Sequence, residues 1–405
     1  MHYIRFLKQP RLVPAAASTA AKVHAHAPGH ARAETNNTTA RLPNHALSSL
    51  CVSAKLTITT DLGEFFLYET VQLCATLVLE GNDGGDAQVE STTVGKIEVQ
   101  WTASDGYSGL EITIPLTTTT WRKGDGRTLR MLVQPKEHEY QREEFGHFDN
   151  EQEGGVVSVR SMAIEAAEQS RVSPPLAERV FVTGEREIRI WEETGESIAR
   201  HIWDAGLILS SYIASLSPSA STQQRSSPFP ALPLFTSVLQ KPALKVLELG
   251  AGCGIVGITL SQLYANNTQT TLTDLPEASE ILSQNIAQCN LPHLKSCILD
   301  WSLPLPPHIS SEAWDLVLVA DCTYNPDVVP HLVRTLQSVV QQRRECLIVL
   351  AMKVRHVSEL VFFDLMCERG FVVKERVRIP LLVLGQEDEE VEILSFALGD
   401  ADAGT

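Results

Sequence analysis

The residues of this chain best suited to chemistry are acids and glycines set at the ends of apolar runs. Residues 245–257 read Lys-Val-Leu-Glu-Leu-Gly-Ala-Gly-Cys-Gly-Ile-Val-Gly, with Glu248 inside the apolar run and Gly250, Gly252 and Gly254 at alternate positions after it. About twenty residues later a second apolar run ends in Asp274. A third ends at the pair Asp300 and Trp301, and a fourth, residues 313–320, leads into Asp321-Cys322-Thr323-Tyr324. Glycines remove Cβ where a ligand must approach the main chain, and they permit φ values closed to other residues. A helix starting just after them presents unpaired N–H groups. A carboxylate at Asp274 can accept hydrogen bonds from both hydroxyls of a ribose. The pairing suggests a nucleoside ligand.

The acids then narrow the choice of nucleoside. Glu248 is costly to bury without a partner and is well placed to meet a cationic group, directly or through water. It would oppose the pyrophosphate of a dinucleotide, so it points away from NAD and favours S-adenosylmethionine, whose amine and sulfonium are positive. Asp300 beside a flat indole suits an adenine, whose exocyclic amine needs an acceptor. Capping of the next turn is the other role open to Asp300.

Together, Glu248-Leu249-Gly250-Ala251-Gly252-Cys253-Gly254, Asp274, Asp300-Trp301 and Ala320-Asp321-Cys322-Thr323-Tyr324 resemble the glycine, acidic ribose, Asp-Trp and Asp-x-x-Tyr motifs of the family 16 seven-strand methyltransferases. That family includes many protein-lysine methyltransferases, and the match here is to a fungal-type member with an extra amino-terminal region. The resemblance spans about residues 191–397, and the motifs in order are far more specific than any one of them. It implies a Rossmann-like α/β fold whose seven-stranded sheet has an antiparallel last strand. It also implies S-adenosylmethionine as cofactor, held by Glu248, Gly250, Gly252, Gly254, Asp274, Leu275, Asp300, Trp301 and Ala320. Residues 202–207, Ile-Trp-Asp-Ala-Gly-Leu, resemble the segment before the sheet in which a tryptophan, here Trp203, covers the cofactor. A plain core role for Trp203 stays open.

By the same resemblance Asp321 and Tyr324 are the catalytic pair, holding the cofactor and shaping the target pocket. The alternative is that Asp321 caps a turn and Tyr324 packs. Methyl transfer from a sulfonium is a displacement that needs alignment and no metal. A lysine acceptor must first lose its proton, which a nearby carboxylate, a phenol and partial desolvation favour. The expected function is therefore methylation of a protein lysine. Methylation of another amine or a small molecule, and a scaffold with a vestigial cofactor site, are the alternatives.

These side chains need elements to position them. Residues 270–273, 296–299, 313–320 and 346–352 read as buried strands of an α/β sheet, with helices at 277–288, after Asp327, and at 357–370, and final strands at 371–378 and 391–397. A helix is expected over 196–216, and an exposed loop over 217–234. Upstream, residues 56–59, 71–79, 96–101, 110–116 and 128–133 alternate or are β-branched and lie between Gly, Asp and Asn clusters, which predicts a small β sandwich or open sheet. The chain divides into a flexible segment (1–54), a β-rich accessory domain (55–135), a linker or insertion (136–178) with a short helix at 161–168, and the methyltransferase domain (179–400). The runs 179–182 and 186–191 are expected to pair ahead of the main sheet. Lys353, Arg355 and His356 are expected in a solvated loop facing the crevice.

The chain has 405 residues, 43% apolar, with 49 acidic against 33 basic side chains. That balance disfavours a nucleic-acid backbone as partner and suits a protein substrate presenting lysine. Eight cysteines without a Cys-x-x-Cys pair suit reduced thiols rather than zinc ligands or a disulfide framework. No apolar run reaches membrane-spanning length, so no membrane partner is expected. The expected location is cytoplasmic or nuclear. The early basic residues before Glu34 leave mitochondrial targeting as a minority reading, against which Pro10 and Pro14 interrupt an amphipathic helix.

Overall fold

The computed structural model describes residues 1–15, 50–81, 91–116, 127–137, 145, 155–164, 176–193, 197–217, 229–265, 268–381 and 389–399. The amino-terminal part is β structure: β1 (His2–Pro14), β2 (Leu50–Thr60), β3 (Val71–Glu80), β4 (Ser91–Trp101), a short helix α1 (Asp105–Ser108), β5 (Leu110–Leu116), β6 (Thr128–Pro135), β7 (Val156–Val157), β8 (Val159–Ser161), β9 (Leu176–Thr183) and β10 (Arg186–Glu193). Two sheets form, ordered β5-β2-β1-β7 and β10-β9-β8-β6-β3-β4. Alternate residues of each point into one shared core. Ile4, Phe6, Val52 and Ile58 from the first sheet meet Leu73, Leu77, Met131 and Val133 from the second, the packing of a β sandwich.

Two expectations are corrected here. Residues 2–14 and 50–54 are not flexible but pair antiparallel as β1 and β2, with Tyr3, Ile4 and Phe6 buried. Pro10 falls in a register shift between Lys8 and Arg11, where a bulge spares the ladder a missing N–H. Residues 16–49 lie outside the described residues. The span 136–178 is likewise not simply a linker, because β7, β8 and the start of β9 lie within it and bury Val156, Val157 and Val159. Ser161 ends β8 instead of opening a helix, and residues 165–175 are outside the described set.

The second unit follows as α2 (Asp204–Ser215), α3 (Pro233–Leu239), β11 (Leu244–Leu249), α4 (Ile255–Leu263), β12 (Thr268–Asp274), α5 (Ser279–Cys289), β13 (Leu294–Ile298), α6 (Pro307–Ser310), β14 (Leu316–Ala320), α7 (Val329–Val339), β15 (Leu347–Met352), α8 (Val361–Glu368), β16 (Phe371–Leu381) and β17 (Glu389–Leu398). Its seven-stranded sheet runs β13-β12-β11-β14-β15-β17-β16. The first five strands are parallel, and β17 is antiparallel to both of its neighbours. β14 and β15 read as unbroken apolar runs because both faces are covered. Leu316, Leu318, Val349 and Ala351 face the layer that contains α2 and α4, whereas Val317, Val319, Ile348 and Leu350 face α7 and α8.

The helix expected over 196–216 is interrupted. A single 3₁₀ turn (Ile198–Arg200) is followed by extended backbone at His201 and Trp203 before α2 begins. The two units share a core as well, since Met1, Tyr3, Phe181, Ile188 and Ile190 join the cluster containing Ile208, Tyr212 and Ile258. Asn285 of α5 strengthens the join. Its side chain donates to the carbonyls of Trp191 (2.9 Å) and Cys253 (2.8 Å) and accepts from the Trp191 N–H (2.8 Å).

Candidate active site

The turn after β11 is shaped by glycines in left-handed conformations. Gly250 has φ 69° and Gly252 φ 55°. A Cβ on Gly250 would lie 2.4 Å from the Cys322 Sγ, and one on Gly252 would lie 3.2 Å from the Ala199 carbonyl. Either position therefore selects glycine twice, by backbone angle and by space. Asp274 braces the turn from the end of β12, accepting from the Gly252 N–H (2.6 Å) and the Leu275 N–H (2.7 Å). Each carboxylate oxygen has a second lone pair, so the same side chain can still accept from a diol.

A cavity of about 720 Å³ opens over this turn at the carboxyl ends of the parallel strands, within the usual range for a small-molecule site. Trp203, Gly250, Gly252, Asp274, Leu275, Asp300, Trp301, Ala320, Asp321 and Tyr324 all line it. Ser197, Ile198, Ala199, Glu277, Asn325, Asp327, Val328 and His331, which carry no motif signal of their own, also line the cavity. Asp327 follows the Asp-x-x-Tyr motif in the same loop, a signal that could have found it. Among the described residues the lining holds five acids, Asp274, Glu277, Asp300, Asp327 and the Arg355-paired Asp321, with His331 its only basic side chain. Such a wall suits a ligand that carries positive charge.

Two residues expected at the ligand lie elsewhere. Glu248 is 2% exposed beneath the turn, where it accepts from the Gly257 N–H at 2.8 Å. Burial pushes its pKa up to about 8, opposed by the Gly257 bond and reinforced by Asp274. It supports the first turn of α4 and does not line the cavity. Gly254 precedes α4 with φ 84° and faces the Leu282 and Ile258 side chains. An acid within an apolar strand is equally suited to a ligand and to an exposed helix start, and here the helix lies nearer.

Asp300 lines the cavity, and its Oδ1 accepts from the Ser302 N–H (2.8 Å) and hydroxyl (2.6 Å), the bonds of a turn cap. The Trp301 ring lies 3.3 Å from where a Gly250 Cβ would be, so the indole roofs the glycine turn. Trp203 donates its Nε1–H to the Ile198 carbonyl at 3.1 Å, holding the 3₁₀ turn against the cavity mouth. Tyr324 is 53% exposed at that mouth. Its partial burial raises the phenol pKa, with Cys322 and Asp274 adding to the effect.

Asp321 directly follows β14 with φ 52°. Its N–H continues the ladder to the Ala351 carbonyl (2.9 Å), while its carboxylate turns toward α2 and Arg355. The Arg355 guanidinium grips it at two points, Nη1 to Oδ1 at 2.9 Å and Nη2 to Oδ2 at 3.1 Å, and the Ala205 N–H in the first turn of α2 donates to Oδ2 at 3.3 Å. Burial raises the Asp321 pKa against the pull of Arg355. Lys353 and Arg355 are not in a solvated loop. Lys353 is 5% exposed, with Nζ within 2.9 Å of Asp204, 3.3 Å of Asp61 and 2.6 Å of Glu389. Burial works against its charge, but Asp204 and Asp61 outweigh that and raise its pKa. Asp204 is fully buried and also accepts from the Tyr3 hydroxyl at 2.7 Å and the Met1 amino group at 3.0 Å. His356 instead caps the turn that follows, its Nδ1 accepting from the Ser358 N–H at 3.1 Å.

The strand order, the glycine turn and an acid-lined cavity at the strands' carboxyl ends define a Rossmann-like methyltransferase unit. The comparisons with known proteins narrow the class. A family model described as lysine methyltransferase matches residues 183–369. EEF1A lysine methyltransferase 3 of Xenopus tropicalis is 32% identical over 213 residues, 51% of this chain and 79% of that protein. Protein N-lysine methyltransferase METTL21A of Mus musculus is 30% identical over 206 residues, 50% of this chain and 81% of that protein. A UPF0665 family protein of Schizosaccharomyces pombe is 30% identical over 199 residues, 48% of this chain, and the aligned stretch spans only 54% of that relative's length. The chain belongs to the lysine methyltransferase family.

Proposed function

We propose that this protein uses S-adenosylmethionine to methylate a lysine side chain of another protein. The observation that carries the proposal is the cavity itself, a glycine turn braced by Asp274 and walled by five carboxylates. The family and the names of its relatives point the same way. When bound, the cofactor supplies a methyl group on a positively charged sulfur. The residues that would hold it are Gly250 and Gly252 by close main-chain approach, Asp274 through the ribose hydroxyls, Asp300 and Trp301 at the adenine, and Trp203, Leu275 and Ala320 along the walls. Glu248 and Gly254 serve them from below by fixing the start of α4.

At the cavity mouth, Tyr324 would receive the target amine beside Asp321, whose charge Arg355 balances. The Tyr324 phenol is protonated at neutral pH, as an ordinary phenol is and as its burial further favours, so it can orient an amine by hydrogen bonding. Asp321 already accepts from Arg355 and Ala205, so its role is to anchor the loop, not to remove the proton. Action in the cytoplasm or nucleus belongs to the same proposal, with eight unbridged cysteines in its support. Among the described residues no helix is long and apolar enough to cross a membrane.

The test is to incubate the purified chain with a cell lysate and labelled S-adenosylmethionine, and to locate the label by mass spectrometry. Label on protein lysines is expected, lost in Asp274→Ala together with roughly 100-fold of cofactor affinity, as for two charge-assisted hydrogen bonds. Label found in small molecules alone would overturn the proposed substrate.

A further inference from the structure

The sandwich and the methyltransferase unit are joined by charge as well as by apolar packing. Asp61, in the turn after β2, is 3% exposed. Its Oδ2 accepts from the Arg355 Nη2 at 2.7 Å and its Oδ1 from the Lys353 Nζ at 3.3 Å. The turn is itself held, since the Asp61 carbonyl accepts from Arg5 Nη2 of β1 at 2.9 Å and its Oδ1 from the Leu62 N–H at 3.0 Å. Arg355 thus stands between two carboxylates, Asp61 of the sandwich and Asp321 of the cavity wall. Its guanidinium also lies over the Trp203 ring, 5.5 Å from the centroid. Two of the groups it touches line the cofactor cavity, and the third is 294 positions away in sequence.

A guanidinium is a planar fork whose orientation is set by the acceptors it meets; here Nη1 and Nη2 together hold Asp321, Nη2 is shared with Asp61, and the buried Nε has no hydrogen-bond partner. Asp321 needs such fixing. A non-glycine residue at φ 52° is strained, and it persists only where its surroundings over-determine it. With Asp61 in place, Arg355 cannot turn without losing a buried ion pair. Without Asp61, the Asp321 pair alone would set the plane of the guanidinium over Trp203.

We propose that Asp61 is a positioning residue for the cofactor pocket: through Arg355 it fixes Asp321 and Trp203, so the amino-terminal sandwich completes a wall it does not touch. This rests on the cavity being the S-adenosylmethionine site. The sandwich is then part of the binding machinery and not an appendage, and the span the family model matches, residues 183–369, would be an incomplete site by itself.

Calorimetry on the full chain tests this with two probes, S-adenosylmethionine and S-adenosylhomocysteine, the second lacking the sulfonium charge. Asp61→Asn and Arg355→Lys are each expected to weaken both ligands by about tenfold. The double variant should be no weaker than the worse single one, because both changes break one chain of contacts. A purely structural Asp61 would lower the melting temperature and leave both dissociation constants at the wild-type value, which overturns the proposal. So would effects that multiply in the double variant, or a loss confined to the charged ligand, which would reflect only a removed charge. If Asp61→Asn does not fold, Asp61→Glu carries the test, since it keeps the charge and displaces the carboxylate by one methylene. Weaker binding of both ligands is expected from it, and unchanged binding overturns the proposal. Wild-type protein that binds neither nucleoside sinks the cofactor assignment and this inference with it, whereas wild-type binding that Asp61→Asn leaves intact sinks this inference alone.

Discussion

Glu248 is an acid whose pKa is raised in the folded chain, from 4.5 to about 8. The folded state therefore holds a proton that the unfolded state has lost between those values, and stability falls as pH rises through that window. Below 4.5 both states are protonated, and above 8 both are ionised. Glu248→Gln keeps an oxygen for the Gly257 N–H and removes the linkage. Its stability relative to wild type, measured by urea denaturation without cofactor, should improve on the order of 3–5 kcal/mol between pH 4.5 and pH 8. Parallel pH profiles for the two proteins would show that Glu248 ionises without penalty. At the cavity mouth, Tyr324→Phe should lower kcat about 10- to 100-fold while the cofactor dissociation constant stays within twofold. Equal losses in both would mean that the phenol binds the cofactor and does not orient the amine.

The elements explain why some of this was legible in the chain and some was not. The strands β11, β12, β14 and β15 announce themselves because burial on both faces demands unbroken apolar runs, and acids at their carboxyl ends then stand out. The glycine turn is legible for the same reason, since few residues can take its backbone angles. Gly250→Ala should therefore destabilise the chain by about 2–3 kcal/mol and weaken the cofactor more than tenfold. Adding Cys322→Ala should restore part of the stability by clearing the Sγ that sits 2.4 Å from the new methyl, but not the cost of φ 69°. A double variant as weak as the single one would mean that the backbone angle alone selects glycine. Less legible was β1, whose two prolines suggest a broken segment; its register shift between Lys8 and Arg11 depends on β2, which no local pattern could supply. Glu248 was misplaced because local sequence does not say whether an acid looks up at a ligand or sideways at a helix. Asp61 carried no signal at all, as its partners lie nearly three hundred positions later.

At the scale of the molecule, one apolar cluster runs from Met1 and Tyr3 through α2 and α4 to the main sheet. The buried ions beside it leave little freedom for either unit to move alone. Lys353 sits among three carboxylates, and Lys353→Met would leave Asp204 and Asp61 buried with fewer counter-charges. That change is expected to cost about 3–5 kcal/mol, and because the pairs are shielded from solvent the loss should persist at 1 M salt. The shared core also predicts that both units melt together, so calorimetric and van't Hoff enthalpies for the full chain should agree. Two resolved transitions would show that the interface is weaker than its burial implies.

The ion pair between Asp61 and Arg355 spans 294 residues, and this distance has a meaning for synthesis on the ribosome. The turn after β2 leaves the exit tunnel long before Arg355 is translated, so the nascent sandwich must wait with Asp61 lacking that partner. Contacts so distant in order close late and slowly. A chain terminated before Arg355 would leave Asp61 and Asp321 without that partner, and on the proposed function such copies should fail to bind S-adenosylmethionine.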